Sequence, residues 1–306
     1  MVLVEVAGEK YSVEKGLYKK WDNIRAGKLK KLDEDRVYIV DGREGCGKSV
    51  WTLQQAGVID PTLFEDALKT KTLPRVCFSG EEVLKAIRTT KSTDTQTKVI
   101  IFDEAFRGLA STSVLSKINR QIIQVLMEMR QNNLVLFIVL PTFIMLDKYA
   151  AMNRGNALFH IHKPRVKEGK KTYHRKFYVY NYQKKGILCQ MDKKKAWTYP
   201  IKSFIHGNFY NKYPGGKEFE KIYRAEKQKA FRDVGKQLQG ETDEGGHVLQ
   251  RNLLLLYFKD KYGEKWTEIS EHFKQYGLKL TTEAISVGVK RAKEWRRTRK
   301  STNAPS

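Results

Sequence analysis

Five short, mostly apolar runs in the first 165 residues are predicted to be β-strands. The runs at 37–40, 99–102 and 134–140 are apolar throughout, which is typical of strands buried on both faces of a sheet. The runs at 75–79 and 157–162 include more polar residues but keep the length and the β-branched or aromatic content of strands. The pattern therefore predicts a five-stranded core.

The segments between these runs have the signatures of helices. Residues 49–56 contain no helix breaker, and Ser79 followed by glutamates provides an N-cap for a helix through Ile87. Residues 113–131 place apolar side chains at three- and four-residue steps, as in an amphipathic helix. The alternation of strands and helices predicts an α/β fold in which helices flank a mostly parallel sheet.

The N-terminal segment is predicted to be a lead-in to this core. Residues 1–16 alternate around Gly8 as in a hairpin, and residues 17–32 form a basic helix or arm. We therefore expect an accessory segment at 1–35, followed by the core at 36–234. The lysines of the lead-in either contact DNA or form a solvated surface.

The C-terminal segment is predicted to be a small all-α domain. A glycine-rich linker at 235–247 precedes three helix candidates, and residues 248–306 resemble a helix-turn-helix module. The helix candidates are 248–262, 266–276 and 282–299. The third helix places Ile285, Val289 and Ala292 on one face and Lys290, Lys293 and Arg297 away from it. This division suits either a DNA-recognition helix or a three-helix bundle that binds protein.

The motif G-x-x-x-x-G-K-S follows the first core strand and precedes the first core helix. In this order of strand, loop and helix it predicts a phosphate-binding P-loop, whose backbone N–H groups bind phosphate oxygens. Lys48 is expected to contact the β- and γ-phosphates of ATP, and Ser49 is expected to bind Mg²⁺. The alternative is a glycine-rich turn without a ligand. The predicted nucleotide-binding residues are Gly42, Arg43, Glu44, Gly45, Cys46, Gly47, Lys48, Ser49 and Val50.

A second motif, four apolar residues followed by Asp103 and Glu104, has the pattern of a Walker B strand. Because ligands bind at the carboxyl ends of strands in open α/β sheets, Asp103 is expected to hold Mg²⁺ and Glu104 to activate water. The alternative is a strand end with solvated acids. Thr142 follows the 134–140 run and either senses the γ-phosphate or begins the next turn.

The charge of the chain indicates a polyanionic partner. Lys and Arg number 58 against 34 acidic residues, which gives a net charge of +24. The sequence contains neither an apolar stretch of about 18 residues nor a signal peptide, so we expect a cytoplasmic protein that binds DNA, with duplex DNA favoured. Three cysteines without close spacing argue against a disulfide framework or a structural zinc site.

Residues 163–185 are the most basic part of the core, with nine Lys or Arg against one Glu. Tyrosines and a phenylalanine are interleaved with them, so the segment is interpreted as a basic hairpin that contacts DNA phosphates through Lys170, Lys171 and Arg175. The alternative is an edge hairpin whose lysines prevent aggregation.

The residues of both motifs resemble those of the additional-strand, catalytic-glutamate class of P-loop ATPases. With residues 130–134 and 140–142 added, the core is similar to the FtsK–HerA superfamily, which includes Zot-like phage assembly proteins and viral genome-packaging ATPases. The sequence departs from these families in two ways. They usually carry glutamine where this chain has Thr142. FtsK and Zot relatives are typically membrane-anchored, whereas this sequence contains no apolar stretch long enough to span a membrane.

The resemblance implies a homo-oligomeric ring, often a hexamer, in which an arginine of one subunit reaches the nucleotide of the next. The candidates are Arg107, Arg120, Arg130 and Arg154. Arg130 and Arg154 are favoured, with a structural salt bridge as the alternative for each.

The leading hypothesis is an ATP-hydrolysing DNA motor that uses ATP and Mg²⁺ for DNA translocation or genome packaging. The rival is a nucleotide-switched DNA-binding regulator or loader, such as a helicase loader or a transposition or replication helper. A third possibility is a protein that binds ATP for structure alone, but Lys48 and Glu104 argue against it.

Overall fold

We analysed a computed structural model of the 306-residue chain. It describes residues 1–103, 112–164, 174–196, 198–240, 252–257, 259–260, 267, 270–271, 274 and 281–302. Within these ranges, residues 112–118, 174, 231, 233–240, 284 and 295–302 are described by their backbone alone. The chain divides into two compact units, Met1–Arg232 and Asp233–Ser306.

The first unit is built on a seven-stranded sheet in the order β4-β5-β6-β3-β7-β8-β9. The first five strands in this order are parallel, and β8 and β9 continue the sheet in antiparallel fashion. A separate hairpin is formed by β1 (Val2–Val6) and β2 (Glu9–Val13). The strands of the sheet are β3 (Arg36–Asp41), β4 (Val76–Cys77), β5 (Val99–Phe102), β6 (Val135–Val139), β7 (Ala157–His162), β8 (His174–Asn181) and β9 (Ile205–Tyr210).

Helices cover the two faces of the sheet. Trp21 of α1 and Trp51 of α3 belong to the apolar core on one face, whereas Val83 of α5 and Ile122 of α6 belong to the core on the other. The helices are α1 (Lys15–Arg25), α2 (Lys28–Lys31), α3 (Lys48–Ile59), α4 (Thr62–Thr70), α5 (Gly80–Thr89), α6 (Thr112–Glu128), α7 (Tyr182–Gln190), α8 (Lys193–Ala196), α9 (Gly216–Gly240) and α10 (Thr282–Thr302). Short 3₁₀ turns at Met129–Asn132 and Phe143–Met145 and a π-turn at Ala150–Arg154 complete the set.

The position of β6 decides the class of the sheet. Val40 of β3 pairs with Val139 of β6, and Phe102 of β5 pairs with Ile138 of β6, so β6 lies between the strand before the P-loop and the Walker B strand. This intervening strand is the additional strand that the resemblance implied. The predicted fold class, a P-loop NTPase with a mostly parallel sheet flanked by helices, is confirmed.

The N-terminal lead-in packs against the core. The predicted hairpin is present, and the predicted basic helix is α1 followed by α2. Trp21 of α1 is completely buried, and its Nε1 donates a hydrogen bond to Gln55 Oε1 of α3 at 2.9 Å. The Trp21 ring also packs edge-on against Tyr38 of β3, with ring centroids 5.1 Å apart.

Three element boundaries differ from the sequence-based prediction. The basic hairpin does not extend to Lys185, because Asn181 ends β8 and caps α7 by accepting a hydrogen bond from the backbone N–H of Lys184 at 3.0 Å. The strand β9 was not predicted. Helix α9 continues to Gly240, so the first residues of the predicted linker are helical, and its remaining residues lie outside the described part of the chain.

The described helical residues of the second unit include the end of α9, residues 252–257 and α10. Leu255 and Leu256 form a small core with Ile285, Val289 and Ala292, the three residues that the sequence assigned to the buried face of the third helix. Lys290 and Lys293 are exposed, as expected. Most of the second helix candidate lies outside the described residues. Among the helices described, none is long and apolar enough to span a membrane.

Candidate active site

The loop between β3 and α3 has the backbone conformation that its glycines permit. Gly42 and Gly47 have φ of 143° and 97°, in the left-handed region. A Cβ at Gly42 would collide with the backbone carbonyl of Ile161. Helix α3 begins directly after the loop at Lys48, so its N-terminal N–H groups and positive dipole end face the concave side of the loop.

Lys48 and Cys46 lie within this loop in different environments. Lys48 Nζ donates to the carbonyl oxygens of Gly42 and Arg43 at 2.8 and 3.1 Å, which holds the ammonium over the loop. Cys46 is buried, and burial raises the pKa of its thiol. The neutral thiol fills space beneath the loop, and a nucleophile would require the thiolate.

The two predicted metal ligands meet. Ser49 Oγ, in the first turn of α3, donates to Asp103 Oδ1 at 3.1 Å across 54 positions of sequence. Asp103 follows β5 directly and is almost completely buried. Carboxylate and hydroxyl oxygens are ligands that Mg²⁺ accepts, so the residues present fit such an ion.

Helix α9 contributes two residues that sequence reasoning missed. Tyr223 is buried and donates its hydroxyl to Asp103 Oδ2. Lys227 Nζ lies 3.4 Å from the same oxygen and 3.3 Å from the Tyr223 hydroxyl. Burial, followed by the charge of Asp103, raises the pKa of Tyr223 well above its usual value, so the phenol stays a hydrogen-bond donor.

Arg175 of β8 lies against the P-loop. A Cβ at Gly47 would collide with the guanidinium of Arg175, so the glycine makes room for it. Burial lowers the pKa of Arg175, and among the described residues no carboxylate pairs with it. The sequence assigned this arginine to DNA, whereas the structure places it beside the nucleotide-binding loop.

A buried carboxylate connects three strand ends next to the loop. Asp41, the last residue of β3, is completely buried and accepts a hydrogen bond from the backbone N–H of Phe143 at 2.9 Å. The Asp41 carboxylate also accepts a hydrogen bond from the Tyr199 hydroxyl and lies 2.9 Å from Nδ1 of His160 on β7. Asp41 therefore links the start of the P-loop to the ends of β6 and β7.

The predicted γ-phosphate sensor and the two favoured arginines lie at opposite edges of the sheet. Thr142 lies at the end of β6, at the same edge as the P-loop and Asp103, and is half-buried. Arg130 and Arg154 precede β6 and β7, so they lie at the opposite edge of the parallel sheet. Arg130 is exposed, whereas Arg154 forms an ion pair with Asp35 and donates to the Leu126 carbonyl at 2.9 Å.

Glu104, Arg107, Lys170 and Lys171 lie outside the described residues, as does the side chain of Arg297. Their roles remain predictions. Arg120 is described and is exposed on α6.

No family model and no curated protein matches the chain. Solved structures that the chain matches include B204, the DNA-packaging ATPase of Sulfolobus turreted icosahedral virus, at 10% identity, covering 49% of this chain and 94% of that one, with a TM-score of 0.28. The N-terminal domain of zonular occludens toxin from Neisseria meningitidis matches at 16% identity over 58% of this chain and 94% of that one, with a TM-score of 0.28. The ATPase DotB of Legionella pneumophila matches at 9% identity over 67% of this chain and 65% of that one, with a TM-score of 0.31.

The strand order and the loop define the class of protein to which the fold corresponds. A P-loop follows β3, an additional strand separates β3 from β5, and Ser49 meets Asp103 at the edge where these strands end. The chain thus has the fold of a P-loop ATPase of the additional-strand type, as its motifs predicted.

Proposed function

We propose that this protein is an ATP-hydrolysing DNA motor that works as a homo-oligomeric ring. The contact between Ser49 and Asp103 at the N-terminus of α3 carries the proposal, because it joins a phosphate site to a metal site. The finer role is DNA translocation or viral genome packaging.

ATP binds with its phosphates in the concave side of the loop, where the backbone N–H groups and the N-terminus of α3 receive them. Lys48 leaves the carbonyl oxygens of Gly42 and Arg43 and contacts the β- and γ-phosphates. Arg175 lies against Gly47 and supplies a second cation from the same chain. A partly buried guanidinium is well suited to phosphate, because it forms two parallel hydrogen bonds.

The oxygens of Ser49 and Asp103 would hold Mg²⁺, which would supply positive charge to offset the negative charge that develops during phosphoryl transfer. Tyr223 fixes the orientation of the Asp103 carboxylate through its hydrogen bond. Glu104, next in sequence, accepts a proton from the attacking water as a general base.

DNA is the proposed polyanion because the chain carries a net charge of +24. Lys170, Lys171, Lys290, Lys293 and Arg297 are the proposed phosphate contacts. In a ring, an exposed arginine such as Arg130 reaches the neighbouring subunit's nucleotide. Arg154 is the weaker candidate, because its guanidinium is engaged with Asp35.

Steady-state ATP hydrolysis tests this proposal. The wild type is compared with Glu104→Gln, with and without long duplex DNA, at two salt concentrations. A motor shows DNA-stimulated turnover that Glu104→Gln abolishes and that salt weakens. Glu65→Gln, at an exposed position on α4, serves as the matched control and keeps full turnover.

A nucleotide-switched regulator is the second candidate, favoured by the contacts of Tyr223 and Lys227 with Asp103. Both residues contact Oδ2 of the metal-binding carboxylate, so these contacts couple the metal site to α9. A switch of this kind binds ATP tightly and turns over only a few times. Pre-steady-state kinetics with ATP in excess over the protein separate the two, since a motor continues beyond the first turnover at an undiminished rate.

A further inference from the structure

The antiparallel end of the sheet has an open face of aromatic and polar side chains. Along β9 and the residue before it, alternate side chains point away from the core and are exposed, and Phe204 and Tyr210 keep 61% and 47% of their surface accessible. On β8, Lys176 is exposed and Tyr178 is half-buried on the same face, opposite Asn208 and His206. We call this surface the outer platform: Lys176, Tyr178, Phe204, His206, Asn208 and Tyr210.

Rings on three neighbouring strands form a row across the outer platform. The rings of Tyr178 and His206 are stacked with an interplanar angle of 27° and centroids 6.4 Å apart. His160 of β7 continues the row, 6.5 Å from Tyr178. Along residues 204–210, one outward side chain falls about every 6.7 Å, so the four outward positions span about 20 Å.

The charge of the outer platform favours a polyanion. Its six residues include one lysine, four other residues with hydrogen-bonding groups and no carboxylate, and the exposed His162 lies beside Lys176 in the ladder. Docking of two copies platform to platform would bring together two surfaces that each carry a lysine and no carboxylate to pair with it, which disfavours this face as its own partner. Bases, in contrast, stack on aromatic rings while lysine contacts the phosphates.

We propose that the outer platform binds single-stranded DNA by base stacking. The inference rests on the proposed function for the identity of the polyanion, and it changes the favoured partner from duplex to an unpaired segment. In a duplex the faces of the bases are covered by their neighbours, so these faces are not available to the exposed Phe204 and Tyr210. The outer platform, about 20 Å long, has room for about three or four nucleotides, at the lower end of the range known for stacking surfaces.

The outer platform is joined to the P-loop through His160. This ring lies in the row of the platform, and its Nδ1 contacts Asp41, the residue before Gly42. Asp41 also accepts the N–H of Phe143, which follows Thr142. Single-stranded DNA bound to the outer platform thus contacts a row of rings that is connected to the nucleotide-binding loop through Asp41. We therefore expect DNA binding to change the rate of ATP turnover.

Fluorescence anisotropy with three labelled probes of equal length tests the proposal in the full chain: an oligothymidylate, an abasic backbone and a duplex. The double variant F204A/Y210A is expected to lose about 5- to 150-fold in oligothymidylate affinity for each base that no longer stacks, and little with the other two probes. Lys176→Gln is expected to reduce the slope of log affinity against log salt concentration by about 0.7 for the single strand. Tyr149→Ala, which removes a tyrosine that is 42% exposed elsewhere, leaves affinity unchanged.

Equal binding of the abasic and base-containing strands by the wild type would overturn the proposal, as would an equal loss of duplex affinity in F204A/Y210A. Sedimentation of the same variant tests whether a second copy of the chain occupies the platform instead. A change in oligomeric state with unchanged DNA affinity would show that the platform is a subunit interface. ATP turnover without DNA is measured alongside. Normal turnover with no single-strand binding rejects the platform alone, whereas single-strand binding without turnover rejects the motor alone.

Discussion

At the scale of single residues, Arg175 is the side chain whose role the structure changes most. Its guanidinium faces Gly47 of the P-loop, and the next residue along β8, Lys176, points to the opposite face of the sheet. We expect Arg175→Ala to weaken ATP binding about tenfold or more, because a charge-assisted hydrogen bond is worth about 1.5–3 kcal/mol. Isothermal titration calorimetry with a non-hydrolysable ATP analogue measures the affinity.

Lys176→Ala is the matched control for this prediction. It removes one positive charge at the neighbouring position but on the other face, so nucleotide affinity is expected to stay within about twofold of the wild type. Similar losses in both variants would show that Arg175 acts through net charge alone, which contradicts a direct phosphate contact.

Tyr223 supports a second prediction at the same scale. Tyr223→Phe keeps the ring between Phe78 and Tyr213 but removes the hydrogen bond to the buried Asp103 carboxylate. The free energy of unfolding is expected to fall by about 1.5–3 kcal/mol, the range for hydrogen bonds to charged groups. Urea unfolding of the nucleotide-free protein measures it.

Tyr213→Phe provides the comparison, since the Tyr213 hydroxyl has no hydrogen bond to a described residue. Its stability is expected to change by less than about 0.5 kcal/mol. An equal loss in the two variants would assign the effect of Tyr223→Phe to ring packing.

The sequence predicted the site residues that belong to local motifs and missed those that reach it from a distance. Ser49 and Asp103 were identified because each follows a recognisable strand or loop, and their contact follows from parallel strands ending at one edge. Tyr223 and Lys227 lie 120 and 124 positions after Asp103, in a charged helix without a motif, so no local pattern marks them. Tertiary packing alone brings α9 to the site.

At the scale of elements, the apolar runs predicted the parallel strands well because those strands are buried on both faces. The antiparallel extension was harder, since β9 is half exposed and its alternation of Ile205, Gly207 and Phe209 with polar residues is short. Asn181 could have marked the end of the basic hairpin, because asparagine followed by a helix-compatible segment is a common N-cap. The sequence places Trp21 on one side of the lead-in helix, and the tertiary structure adds that this side packs against α3 and β3.

The lead-in gives a prediction for a whole element. Trp21→Ala removes the ring that fixes α1 against α3 and β3, together with its hydrogen bond to Gln55. We expect a loss of about 3–5 kcal/mol in the free energy of unfolding of the whole first unit, as for large aromatic residues in a core. Far-UV circular dichroism during urea unfolding reports it.

Leu3→Ala is the control within the same lead-in. Leu3 is 70% exposed on β1, so its truncation is expected to cost less than about 0.5 kcal/mol. If Trp21→Ala were as mild as Leu3→Ala, residues 1–35 would be the accessory segment that the sequence indicated.

At the scale of the whole molecule, the positive charge is spread over both units, and each unit has its own apolar core. The first unit contains the P-loop and the outer platform, whereas the second exposes Lys290 and Lys293 on α10. If the two units contact DNA by different chemistry, substitutions in the first unit mainly weaken binding of single-stranded DNA, and substitutions in the second mainly change the salt dependence of duplex binding. Stacking on the platform depends on unpaired bases, and phosphate contacts by α10 depend on salt.

The double variant K290Q/K293Q tests whether α10 contacts duplex DNA. Both lysines are exposed while Ile285, Val289 and Ala292 are buried, so their replacement leaves the small core intact. If both contact phosphates, the slope of log affinity against log salt falls by about 1.8 for a duplex, because each contact contributes about 0.9. ATP turnover without DNA is expected to stay unchanged, since the described nucleotide-site residues belong to the first unit. An unchanged slope would instead favour the second unit as a bundle that binds protein.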